Sequence, residues 1–124
     1  MKTPLRIVIA DDEDDIRSCF GRLLRKLGYC VVGEASDGQQ LVHESHRTTP
    51  DLIITDVRMP HKSGLDAALE INQQHDIPII FMSSYEEIAG QTIEFAVDFL
   101  LKPVDVSQLQ QAICKAFPDR CNLH

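Results

Sequence analysis

The sequence predicts one α/β domain, a five-stranded parallel sheet doubly wound by helices on both faces. Three observations predict it. Short runs rich in Ile, Val and Phe alternate five times with stretches of helical period. The runs are almost continuously apolar, as expected of strands covered on both faces. The chain has 124 residues, 44% hydrophobic and 25% charged, which is the size and composition of one ordinary soluble domain. Alternating elements of this length imply parallel pairing through right-handed crossovers.

The first strand is LRIVIA (5–10). After it, Ile16, Phe20, Leu23, Leu24 and Leu27 recur at the spacing of one helix face, and Gly28 is placed to end that helix. The second strand is YCVVGEA (29–35), followed after Asp37-Gly38 by a weaker helix whose clearest apolar residues are Leu41 and Val42. The third strand, DLIITD (51–56), leads to a helix from Gly64 expected to bury Leu65, Ala68 and Leu69. The fourth, IPIIFMSS (77–84), leads to a less hydrophobic helix from Glu86 carrying Ile88, Thr92 and Phe95. The fifth, AVDFLL (96–101), precedes a helix expected to bury Leu109, Ala112, Ile113 and Ala116, capped by Asp105 or Ser107. One domain, 1–124, uses the whole chain, with its core over 5–117 and a polar tail over 118–124.

Composition excludes several classes. The net charge of −7 repels phosphate backbones, so no direct nucleic-acid contact by this domain is expected. No apolar run approaches the roughly 20 residues of a membrane span. MKTPLR at the start has no signal-peptide character, and a cytoplasmic location is expected. Cys19, Cys30, Cys114 and Cys121 show no CxxC spacing and read as free thiols, some buried. His43, His46, His61, His75 and His124 form no HxxxH or HExxH pair, so a structural metal site is not expected from them.

Open parallel sheets bind ligands outside the carboxyl ends of their strands. The first strand ends in Asp11-Asp12, the third in Asp56, the fourth in Ser83-Ser84 and the fifth in Leu101-Lys102-Pro103. Each residue alone has an ordinary reading. Glu13, Asp14 and Asp15 need only the attraction of acids to a helix start. Asp56 could begin a loop, Lys102 could be solvated, and Ser83 could bond its own backbone. All of them falling at the same position of different strands is better explained by a shared site. Three clustered carboxylates call for a cation, and an all-oxygen donor set suits Mg²⁺. A lysine and a hydroxyl beside them suit a phosphoryl group, with a carboxylate as nucleophile. Asp56 stands alone at the centre of this edge, after LIIT and before VRMP, and is the expected nucleophile.

These segments resemble the receiver domain of two-component response regulators, similar to the chemotaxis regulators. IVIADDEDD resembles the acidic pair after the family's first strand. DLIITDVRMPHKSG resembles its phosphoacceptor segment, with Pro60 and Gly64 four and eight residues past Asp56. EASDG, IPIIFMSS and DFLLKP resemble the family's segments in the same order. The resemblance implies a flavodoxin-like sheet of order 2-1-3-4-5. It implies that a sensor histidine kinase or histidine phosphotransfer protein phosphorylates Asp56. Asp11, Asp12, Asp56 and the backbone carbonyl of Arg58 would hold Mg²⁺, and Lys102 would contact the phosphoryl group. Ser83 and Phe99 would be the switch pair, Pro103 would follow a cis bond, and Ser84, Tyr85 and Arg58 would tune the site. The partner would be a downstream protein or a fused output domain, with a homodimer through the fourth helix, fifth strand and fifth helix as one arrangement. Ser83 replaces the commoner Thr, Phe99 the frequent Tyr, and Phe95 a frequent Gly.

Two other readings share the chemistry. A phosphatase of the haloacid dehalogenase type also uses a parallel sheet and an aspartate nucleophile, but needs a second Asp where this chain has Arg58. A degenerate receiver that is never phosphorylated would lack some of the acids, the hydroxyl or the lysine, and all are present here.

Overall fold

The computed structural model describes residues 3–83 and 96–120. Along the chain run β1 (Arg6–Ala10), α1 (Asp14–Lys26), β2 (Cys30–Ala35), α2 (Gly38–Thr48), β3 (Leu52–Asp56), α3 (Gly64–Asn72), β4 (Ile79–Ser83), β5 (Ala96–Leu101) and α4 (Val106–Ala116). The helix expected from Glu86, with Ile88, Thr92 and Phe95, lies outside the described residues. The sheet is parallel throughout, in the order β2-β1-β3-β4-β5. This is the expected flavodoxin-like arrangement. Chain order reverses direction between β1 and β3, which makes the crevice there the ligand position of such sheets.

Period-two alternation sorts the strand residues onto two faces. Ile7, Ile9, Leu52, Ile54, Ile80 and Met82 face a core closed by Leu24 of α1 and Leu109, Ala112 and Ile113 of α4. Val8, Ala10, Ile53, Ile79 and Phe81 face the other, closed by Leu41 and Val42 of α2 and Ala67, Ala68 and Ile71 of α3.

The helix ends follow from local chemistry. Gly28 takes φ 94°, its N–H donates to the Arg25 carbonyl, and the Tyr29 N–H donates to that of Leu24. That is the Schellman stop, in which glycine tolerates the left-handed residue. Asp37, Ser63 and Asp105 cap α2, α3 and α4 with their side chains, and Gln108 completes a capping box with Asp105.

Three expectations are corrected. Leu69 is 54% exposed and Leu65 only partly buried, and α3 buries Ala67 and Ile71 beside the expected Ala68. The helix is set by its Gly64 end against β3, which turns the 69 position outward. Ala116 is only partly buried in the last turn of α4. Cys19 and Cys30 are free but exposed, and Cys114 is disulfide-bonded rather than a free thiol. A search for CxxC spacing does not register a bond formed from a helix terminus. Beyond α4, the guanidinium of Arg120 meets the Asp51 carboxylate at 3.0 Å, so this part of the expected tail docks on the domain.

Candidate functional site

β1 and β3 deliver their last residues to the two sides of the crevice. Asp11 and Asp56 are 1% and 3% exposed, while Asp12 is exposed. One carboxylate oxygen from each of the three lies within 4.8 Å of the others. β5 brings Lys102, whose Nζ is 2.5 Å from Asp56 Oδ1 and 3.6 Å from Asp11 Oδ2. Ser83 is buried at the end of β4, and its carbonyl accepts from the Lys102 N–H at 2.9 Å. The Lys102–Pro103 bond is cis, as expected.

Asp11 divides its two oxygens. Oδ1 accepts from the Glu13 N–H at 2.8 Å, ahead of the start of α1 at Asp14. Among the described residues, Oδ2 and both oxygens of Asp56 are buried with no hydrogen-bond partner. Lys102 supplies Asp56 with positive charge at 2.5 Å, a contact that favours the ionised carboxylate. Buried carboxylate oxygens left this way are costly unless something else satisfies them.

Titration follows from that placement. Burial is the main cause raising the Asp56 carboxyl to about 7; Lys102 pulls it down, and the Asp11 charge pushes it up again. For Lys102, burial acts to lower the ammonium, but Asp56 and Asp11 outweigh it, and the net shift is upward. The ammonium thus stays charged beside the carboxylates.

Two glycines make the crevice possible. A Cβ on Gly64 would stand 1.8 Å from the Asp56 carbonyl oxygen, so only glycine lets α3 start directly behind that residue. The Gly64 N–H donates to the Val57 carbonyl at 2.8 Å. A Cβ on Gly38 would stand 2.2 Å from the Lys62 carbonyl oxygen, which accepts from the Gly38 N–H at 2.9 Å. Both glycines clasp the β3–α3 loop from opposite ends. Arg17 is a neighbour the sequence reading did not single out. Its guanidinium donates to the Asp11 carbonyl at 2.8 Å and to Asp14 at 2.7 Å, and lies 3.6 Å from Glu34. The i, i+3 spacing from Asp14 was the available signal.

Of the other expected residues, Arg58 is exposed in the loop after β3. Phe99 is half-buried, stacked on Phe81 of β4 at 5.1 Å between ring centroids. Ser84 and Tyr85 lie outside the described residues.

The sequence profile of the response regulator receiver domain matches residues 7–114. The chain belongs to that family. The transcriptional regulatory protein PdtaR of Mycobacterium tuberculosis is 40% identical over 115 residues, covering 89% of this chain and 55% of that protein. The receiver thus spans about half the length of this curated relative. A response regulator receiver domain protein from Clostridium thermocellum superposes with a TM-score of 0.84 at 28% identity, over 92% of this chain and 94% of that one. The PhyR receiver domain of Erythrobacter litoralis gives 0.82 at 28% identity, over 94% and 92%. The receiver is a two-component signalling domain, and these comparisons do not favour the phosphatase reading. Among the described residues, no helix is long and apolar enough to cross a membrane.

Proposed function

We propose that this receiver takes a phosphoryl group onto Asp56 from a sensor histidine kinase or histidine phosphotransfer protein. The observation that carries the reading is the Asp56 carboxylate itself: buried, without a hydrogen-bond partner on either oxygen among the described residues, and 2.5 Å from the Lys102 ammonium. An Asp56 oxygen attacks phosphorus, the bond from phosphorus to the donor's imidazole nitrogen breaks, and an aspartyl phosphate forms. Lys102 offsets the charge on the phosphoryl oxygens, and the Ser83 hydroxyl donates to one of them. The donor set fits Mg²⁺, being all oxygen, carrying three carboxylates and holding orphaned buried atoms. Asp11, Asp12, Asp56 and the Arg58 carbonyl would hold the ion, which when bound supplies positive charge against the phosphate oxygens.

The switch reading rests on the coupling of strand ends. Ser83 and Lys102 are joined by a backbone hydrogen bond, and Phe99 stacks two strands' width from Asp56 on the same sheet. Drawing Ser83 and Lys102 toward a phosphoryl group would bias the Phe99 ring between two packings. Ser84, Tyr85 and Arg58 would tune how long the phosphate survives, and Pro103 would hold the Lys102 loop. The domain serves as a phosphoacceptor that assists its own phosphorylation and dephosphorylation rather than as a turnover enzyme. It acts in the cytoplasm on a downstream protein or a fused output domain, with dimerisation through the helix expected from Glu86, β5 and α4 as a further arrangement.

The test is intact mass after incubation with Mg²⁺ and acetyl phosphate. Wild type should gain one phosphoryl group and Asp56→Asn none. An undiminished adduct in the variant would assign the phosphate elsewhere.

A further inference from the structure

The fold carries a second cluster of ligating side chains, at the opposite end from Asp56. His46 lies in the last turn of α2, and His75 follows the end of α3. Helix C-termini lie at the rim where the strands begin. Arg6, at the start of β1, confirms the placement, because its guanidinium donates to the carbonyl of Thr49, just past α2. His46 Nδ1 and His75 Nε2 are 3.1 Å apart, although 29 residues separate them in sequence. Their rings are 5.1 Å apart at centroids, tilted by 50°. Both residues are half-buried, so each ring is held by packing and still open to solvent.

We propose that His46 and His75 form a binding site for a borderline transition-metal ion of the Zn²⁺ class, distinct from the carboxylate site. Zinc–imidazole bonds of about 2.0–2.1 Å at a tetrahedral angle place two ligand nitrogens roughly 3.3 Å apart. The observed separation needs to open by only a few tenths of an ångström. Each ring must turn by about 35° for its lone pair to aim at the ion rather than at the other nitrogen. Imidazole nitrogen suits Zn²⁺, Cu²⁺ and Ni²⁺, whereas the oxygen-only site at Asp11, Asp12 and Asp56 suits harder ions, so the two sites select differently. Water fills the remaining coordination positions. Because the ligands come from α2 and from the segment after α3, the ion would fasten two neighbouring elements together.

The alternative occupant of the gap between the rings is one proton, shared as N–H···N, and the test separates the two. The 124-residue chain, with the exposed Cys19 and Cys30 changed to Ser to remove thiol ligands, is titrated with Zn²⁺ in excess Mg²⁺. One Zn²⁺ is expected per chain, with affinity falling at least tenfold in His46→Gln and again in His75→Gln. Glutamine retains a hydrogen-bonding group, and circular dichroism verifies that both variants fold. The ring ¹⁵N resonances of both histidines should move on titration, and Asp56→Asn should bind Zn²⁺ as tightly as its parent. Absence of Zn²⁺ binding, or binding unchanged in the two histidine variants, would overturn the proposal and leave a proton-sharing pair.

Discussion

The interior of the sheet and its carboxyl-terminal rim are built by the same strands to opposite ends. In β1 the residues from Ile7 to Ala10 are buried and apolar, and the next residue, Asp11, is just as buried. In β3 the same holds for Ile53 and Ile54 against Asp56. What differs is satisfaction. Interior side chains alternate between two cores and find apolar neighbours on both faces. Rim carboxylates leave three oxygens without hydrogen-bond partners among the described residues. Burial alone therefore does not mark a stabilising residue. The interior stabilises the fold, and the rim gathers buried carboxylates around the Lys102 ammonium.

Gly64 stands where the two regions meet, so Gly64→Ala should do the greatest damage. With a Cβ 1.8 Å from the Asp56 carbonyl oxygen, backbone must shift, and a loss of about 4 kcal/mol in denaturant unfolding is expected. Phosphoryl uptake should fall with it. The comparison is sharper in a pair of variants that separate the regions. Ile54→Ala should cost about 3 kcal/mol of stability by opening a cavity, while the folded fraction still accepts phosphate. Lys102→Ala should act chiefly on the chemistry, slowing phosphorylation by about 10²–10³-fold, with a smaller loss of stability from leaving Asp56 without its cation. Equal effects of the two on both readouts would erase the distinction. Leu69→Gln, on the exposed face of α3, should change stability by less than about 0.5 kcal/mol.

Most of the fold was legible because the continuous apolar runs of the strands and the helical repeat are carried by Ile, Val and Leu, whose burial is not in competition with anything else. The strand-end residues were legible for a different reason. Asp11, Asp56 and Lys102 each have an ordinary reading alone, and it was their falling at the ends of three different strands that marked them. Leu69 misled because helical spacing gives the relative rotation of positions and not which way the helix faces; the contact of Gly64 with β3 sets that. The roles of Gly38 and Gly64 appear only when the Lys62 and Asp56 carbonyls are seen beside them. Arg17 was hidden because its partners Asp11 and Glu34 come from separate strands. Cys114 was hidden because disulfide pairing is a matter of distance in space, not of spacing along the chain.

The central claim is that the rim is held at a cost which Mg²⁺ relieves, and stability as a function of pH tests it most directly. A carboxyl that ionises near 3.8 when unfolded and near 7 when folded stabilises the protein fully only below pH 3.8. Between those values the folded state binds more protons than the unfolded state, so stability falls as pH rises. Above about 7 the cost is complete, at about 4 kcal/mol. In EDTA, wild type should therefore lose stability from pH 4 to pH 7.5 relative to Asp56→Asn. Mg²⁺ at pH 7.5 should restore most of that loss to wild type and little to the variant. A wild type more stable than Asp56→Asn at pH 7.5 in EDTA, with no response to Mg²⁺, would contradict the account.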